Sequence, residues 1–303
     1  MEVPNMQNKE LIVRKRMSAF LEKVLRYFGY EFRHDDYKQI IYGESGCKTP
    51  LEDKIKSLYD AYSYLLSNAK NPLSTDILKK FFYLLEEKEA DESMMIRISS
   101  TFFHLNDMPA IEKAIDFHMA VYSELAGTDE EKQFIVSLMF LNYAFVKGGI
   151  PILRFVTPVL KNYVSCRQSY LEGEKLPLYQ LLLEQIAESK YQDKSFYKNL
   201  KPLSTKEIFE RILQDKSLLQ QVYGVRSLSI FGSFSKDMQR IDSDIDLIVQ
   251  FSQDISFEKK MENTEILAKH YFVIFNRFID FTEVSEFVGD WIIKEISDYK
   301  KIF

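Results

Sequence analysis

The spacing of apolar residues changes near residue 200, and this change sets the predicted fold class. Before it, apolar positions recur every three to four residues, the pattern of helices that bury one face. The segments with this spacing are 9–28, 50–66, 74–87, 109–126, 130–147, 156–171 and 177–190. After it, short runs rich in β-branched and aromatic residues alternate with helical segments. The expected strands are 227–231, 245–251 and 276–282, and the expected helices are 205–220, 258–270 and 285–299. We therefore expect a two-domain α+β protein in which an all-α domain precedes a small α/β domain.

The polar segment from Ser189 to Ser204 separates the two patterns and is the expected linker. The helical domain would then span residues 1–188, the linker 189–204 and the α/β domain 205–303. Ten glycines and eight prolines in 303 residues are too few turn signals for an all-β chain.

Charge and cysteine content restrict the expected partners and location. The net charge of -5 provides no basic field that would draw the chain onto nucleic acid or an anionic membrane. The longest apolar stretch, Phe134 to Val146, is interrupted by polar residues and is shorter than the roughly 20 residues of a membrane span, so a buried helix is expected there. Cys47 and Cys166 are too few for a disulfide framework, and the N-terminus lacks the pattern of a secretory signal. We expect a cytoplasmic protein that binds neither membranes nor nucleic acid.

Two carboxylates at the start of an expected strand are the clearest chemical signal. The sequence has Gly232-Ser233, ten intervening residues and then Asp244-Ile-Asp246. The two-residue period of a strand places both carboxylates on one face. Such charges repel each other unless a cation lies between them, and Mg²⁺ prefers one or two carboxylates together with substrate phosphates. Because a glycine and a hydroxyl after a strand allow close approach to a phosphate, the pattern predicts a site for a metal-bound triphosphate.

These residues, with Asp280 in the later strand-like segment, resemble the signature of the DNA polymerase beta nucleotidyltransferase superfamily, especially its minimal nucleotidyltransferases. The similarity covers residues 205–303. It implies transfer of a nucleoside monophosphate from a triphosphate with release of pyrophosphate. Asp280 would complete the metal cluster or assist deprotonation of an acceptor hydroxyl. The catalytic and metal-binding residues that the resemblance implies are Asp244, Asp246 and Asp280, and the nucleotide-binding residues are Gly232, Ser233 and Lys236.

The chain departs from the family at the turn after Gly232-Ser233. Many relatives have an Arg-Gly pair where this chain has Lys236-Asp237, and an added carboxylate there would weaken triphosphate binding. Two functions therefore stay open. The first is Mg²⁺-dependent transfer of AMP from ATP, or of another nucleoside monophosphate, to a hydroxyl on a protein, with a small molecule such as an aminoglycoside as second choice of acceptor. The second is a non-catalytic regulatory or antitoxin-like protein with a vestigial nucleotide site.

Residues 35–170 of the helical domain resemble Fic-type proteins. The similar segments are 54–61, 71–74, 114–118 and the turn at 148–151. The Fic active loop would lie near 119–133, where this chain has no histidine. The resemblance therefore implies a degenerate Fic-like scaffold in which His118 is a core residue. A rival hypothesis is ribonuclease activity, because the spacing of Arg97 and His104 resembles the Arg-x(4–6)-His element of HEPN ribonucleases.

Several other side chains have predicted environments. The pairs Phe81-Phe82 and Phe102-Phe103 are expected in the core, and Cys166 is expected to be buried. The closing segment, including Lys300 and Lys301, is expected to be an exposed helix.

Overall fold

The computed structural model describes residues 6–43, 49–86, 91–153, 155, 157–191, 200–284 and 299–303. These residues form two compact units, Met1–Gln185 and Ile186–Phe303. Cys47 and nearly all of the helix expected at 285–299 lie outside the described residues.

The first unit contains no strand among its described residues. Its helices are α1 (Met6–Tyr27), α2 (His34–Tyr42), α3 (Pro50–Ser67), α4 (Thr75–Glu86), α5 (Glu92–His104), α6 (Ala110–Glu124), α7 (Glu130–Lys147), α8 (Thr157–Leu171) and the greater part of α9 (Leu176–Tyr191). Seven of these helices confirm helices expected from the apolar spacing, and α2 and α5 were not expected.

Local capping signals explain where several helices begin. The Thr49 side chain accepts a hydrogen bond from the Glu52 amide, and Pro50 occupies the first turn of α3. At α4, the Ser74 hydroxyl accepts from the Ile77 amide at 3.4 Å. Both starts follow from residues within one turn of the helix, so the sequence predicts them well.

α5 was not expected because its apolar residues do not all share one buried face. Ile96 and Phe103 are 52% and 71% exposed. The available signal was Asp91, whose side chain caps the helix by accepting from the Ser93 amide. The exposure of Phe103 corrects the expectation that it lies in the core, whereas its neighbour Phe102 is buried as expected.

α7 confirms the buried helix expected at 134–146. Every residue from Phe134 to Phe145 is buried. Phe81 and Phe82 are also buried, while Cys166 is only partly so. None of the described helices combines the length and the apolar content that a membrane span requires.

The division between the units falls inside α9, slightly before the predicted boundary at residue 188. The last turn of this helix belongs to the second unit, where the Lys190 ammonium donates to the Val273 carbonyl and the Asn276 side-chain oxygen, both at 2.6 Å. The helix therefore continues beyond the point where the composition becomes polar.

The second unit packs helices on a four-stranded sheet. Its further elements are α10 (Thr205–Gln214), α11 (Lys216–Gln221), β1 (Val225–Phe231), α12 (Gly232–Ser235), β2 (Ile245–Phe251), α13 (Phe257–Phe275), β3 (Ile279–Glu283) and β4 (Lys300–Lys301). The strand order is β3-β2-β1-β4. β2 pairs antiparallel with β1 and parallel with β3, and β4 pairs antiparallel with β1.

Three predicted boundaries in this unit need correction. The helix expected at 205–220 is divided at Asp215, whose carboxylate is buried against Arg211 and His270. The last strand-like segment begins at residue 279 rather than 276, because Asn276 ends α13 in the left-handed conformation. Lys300 and Lys301 form strand β4 and are not helical, since they hydrogen-bond along β1.

Candidate active site

The sheet register places the predicted carboxylates at one edge of the second unit. β1 ends where β2 begins, and Phe231, the last residue of β1, pairs with Asp246. On the other side of β2, Asp246 pairs with Asp280 at the start of β3. Asp244 immediately precedes β2. The structure therefore brings all three predicted carboxylates to the edge where β1 turns into α12.

Gly232 lies against the middle carboxylate of this edge. Its φ is +68°, a conformation that residues with a side chain rarely adopt. A Cβ atom at this position would lie 2.2 Å from Oδ2 of Asp246. The glycine is therefore needed both for its backbone conformation and for its close approach to the carboxylate.

Hydrogen bonds fix the bend that Gly232 and Ser233 begin. The Ser235 hydroxyl donates to the Gly232 carbonyl at 2.9 Å, and the Met238 amide donates to the Ser233 carbonyl at 2.9 Å. The buried Thr205 hydroxyl reaches the Phe234 carbonyl at 2.7 Å. The bend is thus stabilised by hydrogen bonds between its own residues and by one from the first residue of α10.

The three carboxylates at this edge carry negative charge that no neighbouring group in the described part of the chain compensates. Burial raises the pKa of Asp246, and the neighbouring charges of Asp280 and Asp244 raise it further. Asp246 is partly buried, whereas the other two carboxylates are exposed. Among the described residues, no hydrogen-bond donor or cation pairs with any of the three. A divalent cation would supply the missing positive charge and would at the same time bind the phosphates of a triphosphate, so the chemistry of these side chains fits a metal-nucleotide complex.

The three carboxylates nevertheless lie too far apart in this arrangement to bind one metal ion together. Within the part of the chain that the structure describes, no group of three His, Cys, Asp or Glu side chains is close enough to hold a metal ion. Asp246 is central because it has two carboxylate neighbours, Asp244 just before β2 and Asp280 in β3.

Lys236 and Asp237 form the turn after α12, and their environments differ. Lys236 is exposed. Asp237 adopts a φ of +55°, the left-handed conformation that glycine adopts most easily. Its carboxylate accepts from the Lys300 ammonium at 2.7 Å and contacts the Thr205 hydroxyl at 2.9 Å. These two contacts lower the pKa of Asp237.

Sequence reasoning missed three residues that tie α10 and the segment before it to this edge. Arg277, only 3% exposed, donates to the Lys201 carbonyl at 2.6 Å. The Gln239 side chain donates to the Leu203 carbonyl at 3.3 Å. Thr205 makes the third connection. Each contact joins residues more than 25 positions apart, and no local pattern marks such partners.

Comparison with known proteins identifies the family of this unit. A family model described as "Polymerase beta, Nucleotidyltransferase" matches residues 214–302. A putative protein adenylyltransferase of Methanocaldococcus jannaschii is 38% identical over 62 residues, which cover 20% of this chain and 63% of that protein. Another from the same organism is 37% identical over 61 residues, which cover 20% of this chain and 71% of that protein. The chain belongs to the polymerase beta nucleotidyltransferase family.

A named relative extends the comparison. The protein adenylyltransferase MntA of Thermococcus cleftensis is 34% identical over 65 residues, 22% of this chain and 66% of that protein. The match to the first relative above spans 63% of its length, slightly less than two thirds. All residues matched by the family model lie in the second unit, which is therefore a nucleotidyltransferase domain.

Outside the nucleotidyltransferase domain, His118 is a core residue, as expected. It is fully buried, its Nδ1 donates to the Ser137 carbonyl at 2.8 Å, and its Nε2 accepts from the Tyr163 hydroxyl. Burial lowers the pKa of His118 to about 4. Since both nitrogens are occupied, the ring is held neutral in the core.

Arg97 and His104 are each occupied by other partners in the helical unit. The Arg97 guanidinium pairs with Glu124 at 2.8 Å and reaches the Ser93 hydroxyl at 3.2 Å. His104 donates from Nδ1 to the Ser100 carbonyl at 2.7 Å. The ribonuclease hypothesis stays a prediction, and loss of RNA cleavage in His104→Ala would test it.

Proposed function

We propose that this protein is a Mg²⁺-dependent nucleotidyltransferase that moves AMP from ATP to a hydroxyl group on a protein. The observation that carries the proposal is the juxtaposition of Asp244, Asp246 and Asp280 beside the Gly232 bend. The relatives are named protein adenylyltransferases, which supports AMP as the transferred group and a protein as the acceptor.

Each of the residues at the edge has a proposed role. Asp244 and Asp246 would hold Mg²⁺, which neutralises the triphosphate and the charge that develops on the leaving group. Gly232, Ser233 and Lys236 would contact the phosphates. Asp280, exposed on the adjacent strand, would receive the proton of the acceptor hydroxyl.

The bonds that change follow from this assignment. The acceptor oxygen forms a bond to the α-phosphorus, and the bond from that phosphorus to the bridging oxygen of the β-phosphate breaks. Pyrophosphate leaves with the electron pair, and the hydroxyl proton passes to Asp280. The backbone bend fixes the nucleotide for this displacement, and such positioning is a large part of the catalysis of phosphoryl-type transfer.

Labelled ATP tests the proposal. The protein is incubated with Mg²⁺, a cell lysate and ATP labelled on either the α- or the γ-phosphate. Relative to the lysate alone, whose kinases transfer the γ-phosphate, we expect additional protein bands labelled from the α-phosphate only. The double variant Asp244→Asn, Asp246→Asn should give none, while Asp254→Asn, an exposed carboxylate beyond β2, should match the wild type. Label from the γ-phosphate beyond that of the lysate alone, or equal labelling by the double variant, would refute the proposal.

A non-catalytic regulatory or antitoxin-like interaction protein with a vestigial nucleotide site is the second candidate. The observation in its favour is that the described carboxylates do not converge into a three-ligand set. Titration calorimetry with a nonhydrolysable ATP analogue and Mg²⁺, run beside the labelling assay, separates the two functions. Failure to bind any triphosphate, together with absence of transfer, would support the vestigial site.

The proposal extends to the helical unit and to the location of the protein. We assign acceptor recognition to the helical unit, and its resemblance to degenerate Fic proteins stays a prediction. The proposed location is the cytoplasm, where cysteines such as Cys166 stay reduced and nucleoside triphosphates are available.

A further inference from the structure

An acidic residue occupies the turn that follows the proposed phosphate-binding bend. Asp237 lies directly after Lys236, and the next residue, Met238, donates its amide to the Ser233 carbonyl at 2.9 Å. The left-handed φ of +55° at Asp237 is one that glycine adopts most easily and that aspartate and asparagine tolerate better than most residues. The turn therefore combines a backbone conformation typical of glycine with a negative charge.

Both carboxylate oxygens of Asp237 have partners. Oδ2 accepts from the Lys300 ammonium at 2.7 Å, and Oδ1 lies 2.9 Å from the Thr205 hydroxyl. The lowered pKa of Asp237 follows first from its contact with Lys300 and then from that with Thr205. The carboxylate is thus charged, and the positive charge opposite it comes from a residue 63 positions away.

The backbone of β4 fixes the position of Lys300. Lys300 pairs with Ile230, two residues before Gly232. After it, the Ile302 amide donates to the Leu228 carbonyl at 2.9 Å. The strand that leads into the bend therefore also holds the lysine that neutralises Asp237.

We propose that Lys300 is a positioning residue for nucleotidyl transfer: it neutralises Asp237 and keeps its carboxylate paired, so that a nucleoside triphosphate binds at the adjacent bend despite the added acid. This inference rests on the proposed function. The ion pair offsets the negative charge that the aspartate places beside the bend.

A double-mutant cycle on Lys300 and Asp237 tests this role. The KM for ATP and kcat are measured for wild type, Lys300→Met, Asp237→Asn and the combined variant. We expect Lys300→Met to raise KM about three- to fivefold with little change in kcat, since an exposed charge acts with modest strength. Asp237→Asn should leave KM unchanged or lower it. In the Asp237→Asn background, Lys300→Met should have no further effect on KM.

Lys301→Met is the matched control. It removes one positive charge from the same strand but leaves Lys300 and Asp237 paired, so it should leave KM unchanged. Added salt should narrow the difference between wild type and Lys300→Met, because salt screens exposed charges. Melting temperatures of all variants would show that the fold is retained, as expected when an exposed ion pair is removed.

Two results would overturn the inference. An equal rise in KM from Lys300→Met in both backgrounds would mean that Lys300 contacts the phosphates itself. No rise in either background would mean that Asp237 does not affect the nucleotide. The proposed function fails separately, if wild type neither binds nor transfers a nucleotide; the inference alone fails when wild type is active but the cycle gives one of these two results.

Discussion

Replacing Gly232 by alanine tests the geometry of the candidate site directly. The new Cβ would lie 2.2 Å from Oδ2 of Asp246, where ordinary contacts begin at 3.4 Å, so the carboxylate must move by about 1 Å. Misplacement on that scale can lower an enzymatic rate by roughly 100-fold. The left-handed φ of +68° adds a backbone cost of about 1–2 kcal/mol for a residue with a side chain.

Two assays separate these effects. Thermal or urea unfolding measures the loss of stability, and transfer of α-labelled phosphate from ATP measures the rate. Gly149→Ala is the control, because Gly149 has a φ of +78° and nothing within 4 Å of the added Cβ. We expect both variants to lose stability and only Gly232→Ala to lose activity. Wild-type activity in Gly232→Ala would refute the argument that close approach to Asp246 matters.

Three further predictions follow from buried or partly buried groups. Asp246→Asn should raise the melting temperature of the metal-free protein at neutral pH. The pKa of Asp246 is raised in the folded protein, so the charged carboxylate lowers the free energy of unfolding as the pH rises from the ordinary carboxyl pKa through that raised pKa. The neutral asparagine side chain removes this cost. An unchanged or lower melting temperature relative to wild type, with Asp254→Asn as control, would contradict this. Thr205→Val should destabilise the protein by about 1 kcal/mol and slow transfer, because it leaves the Phe234 carbonyl without its donor, and Thr205→Ser should restore both. His118 has a pKa of about 4 in the folded protein against about 6.5 in the unfolded chain. The neutral ring therefore contributes fully to the free energy of unfolding above about pH 6.5, and this contribution is lost as the pH falls toward 4. The loss amounts to about 3 kcal/mol, and urea unfolding across that range should show a shallower acid dependence in His118→Gln; an equal dependence would contradict the assignment.

The sequence predicted elements whose signals lie within a few residues of each other. The strand at 245–251 has the predicted limits because its apolar run is short and uninterrupted. Helix α10 begins at the predicted residue because Ser204 and Glu207 form a capping box. The two-residue strand β4 was missed, since two lysines show no period that would distinguish a strand from a helix.

The residues of the candidate site likewise fall into those that the sequence predicted and those that only the structure brought together. By itself, the sequence predicted that Gly232-Ser233, Asp244 and Asp246 form one chemical unit, because the motif they resemble is local. Only the tertiary structure decided that Asp280 pairs with Asp246 and that Lys300 neutralises Asp237. Local patterns reflect interactions within a turn or a strand. The partner of a residue 30 or 60 positions away depends instead on the packing of the whole unit, which no short segment encodes.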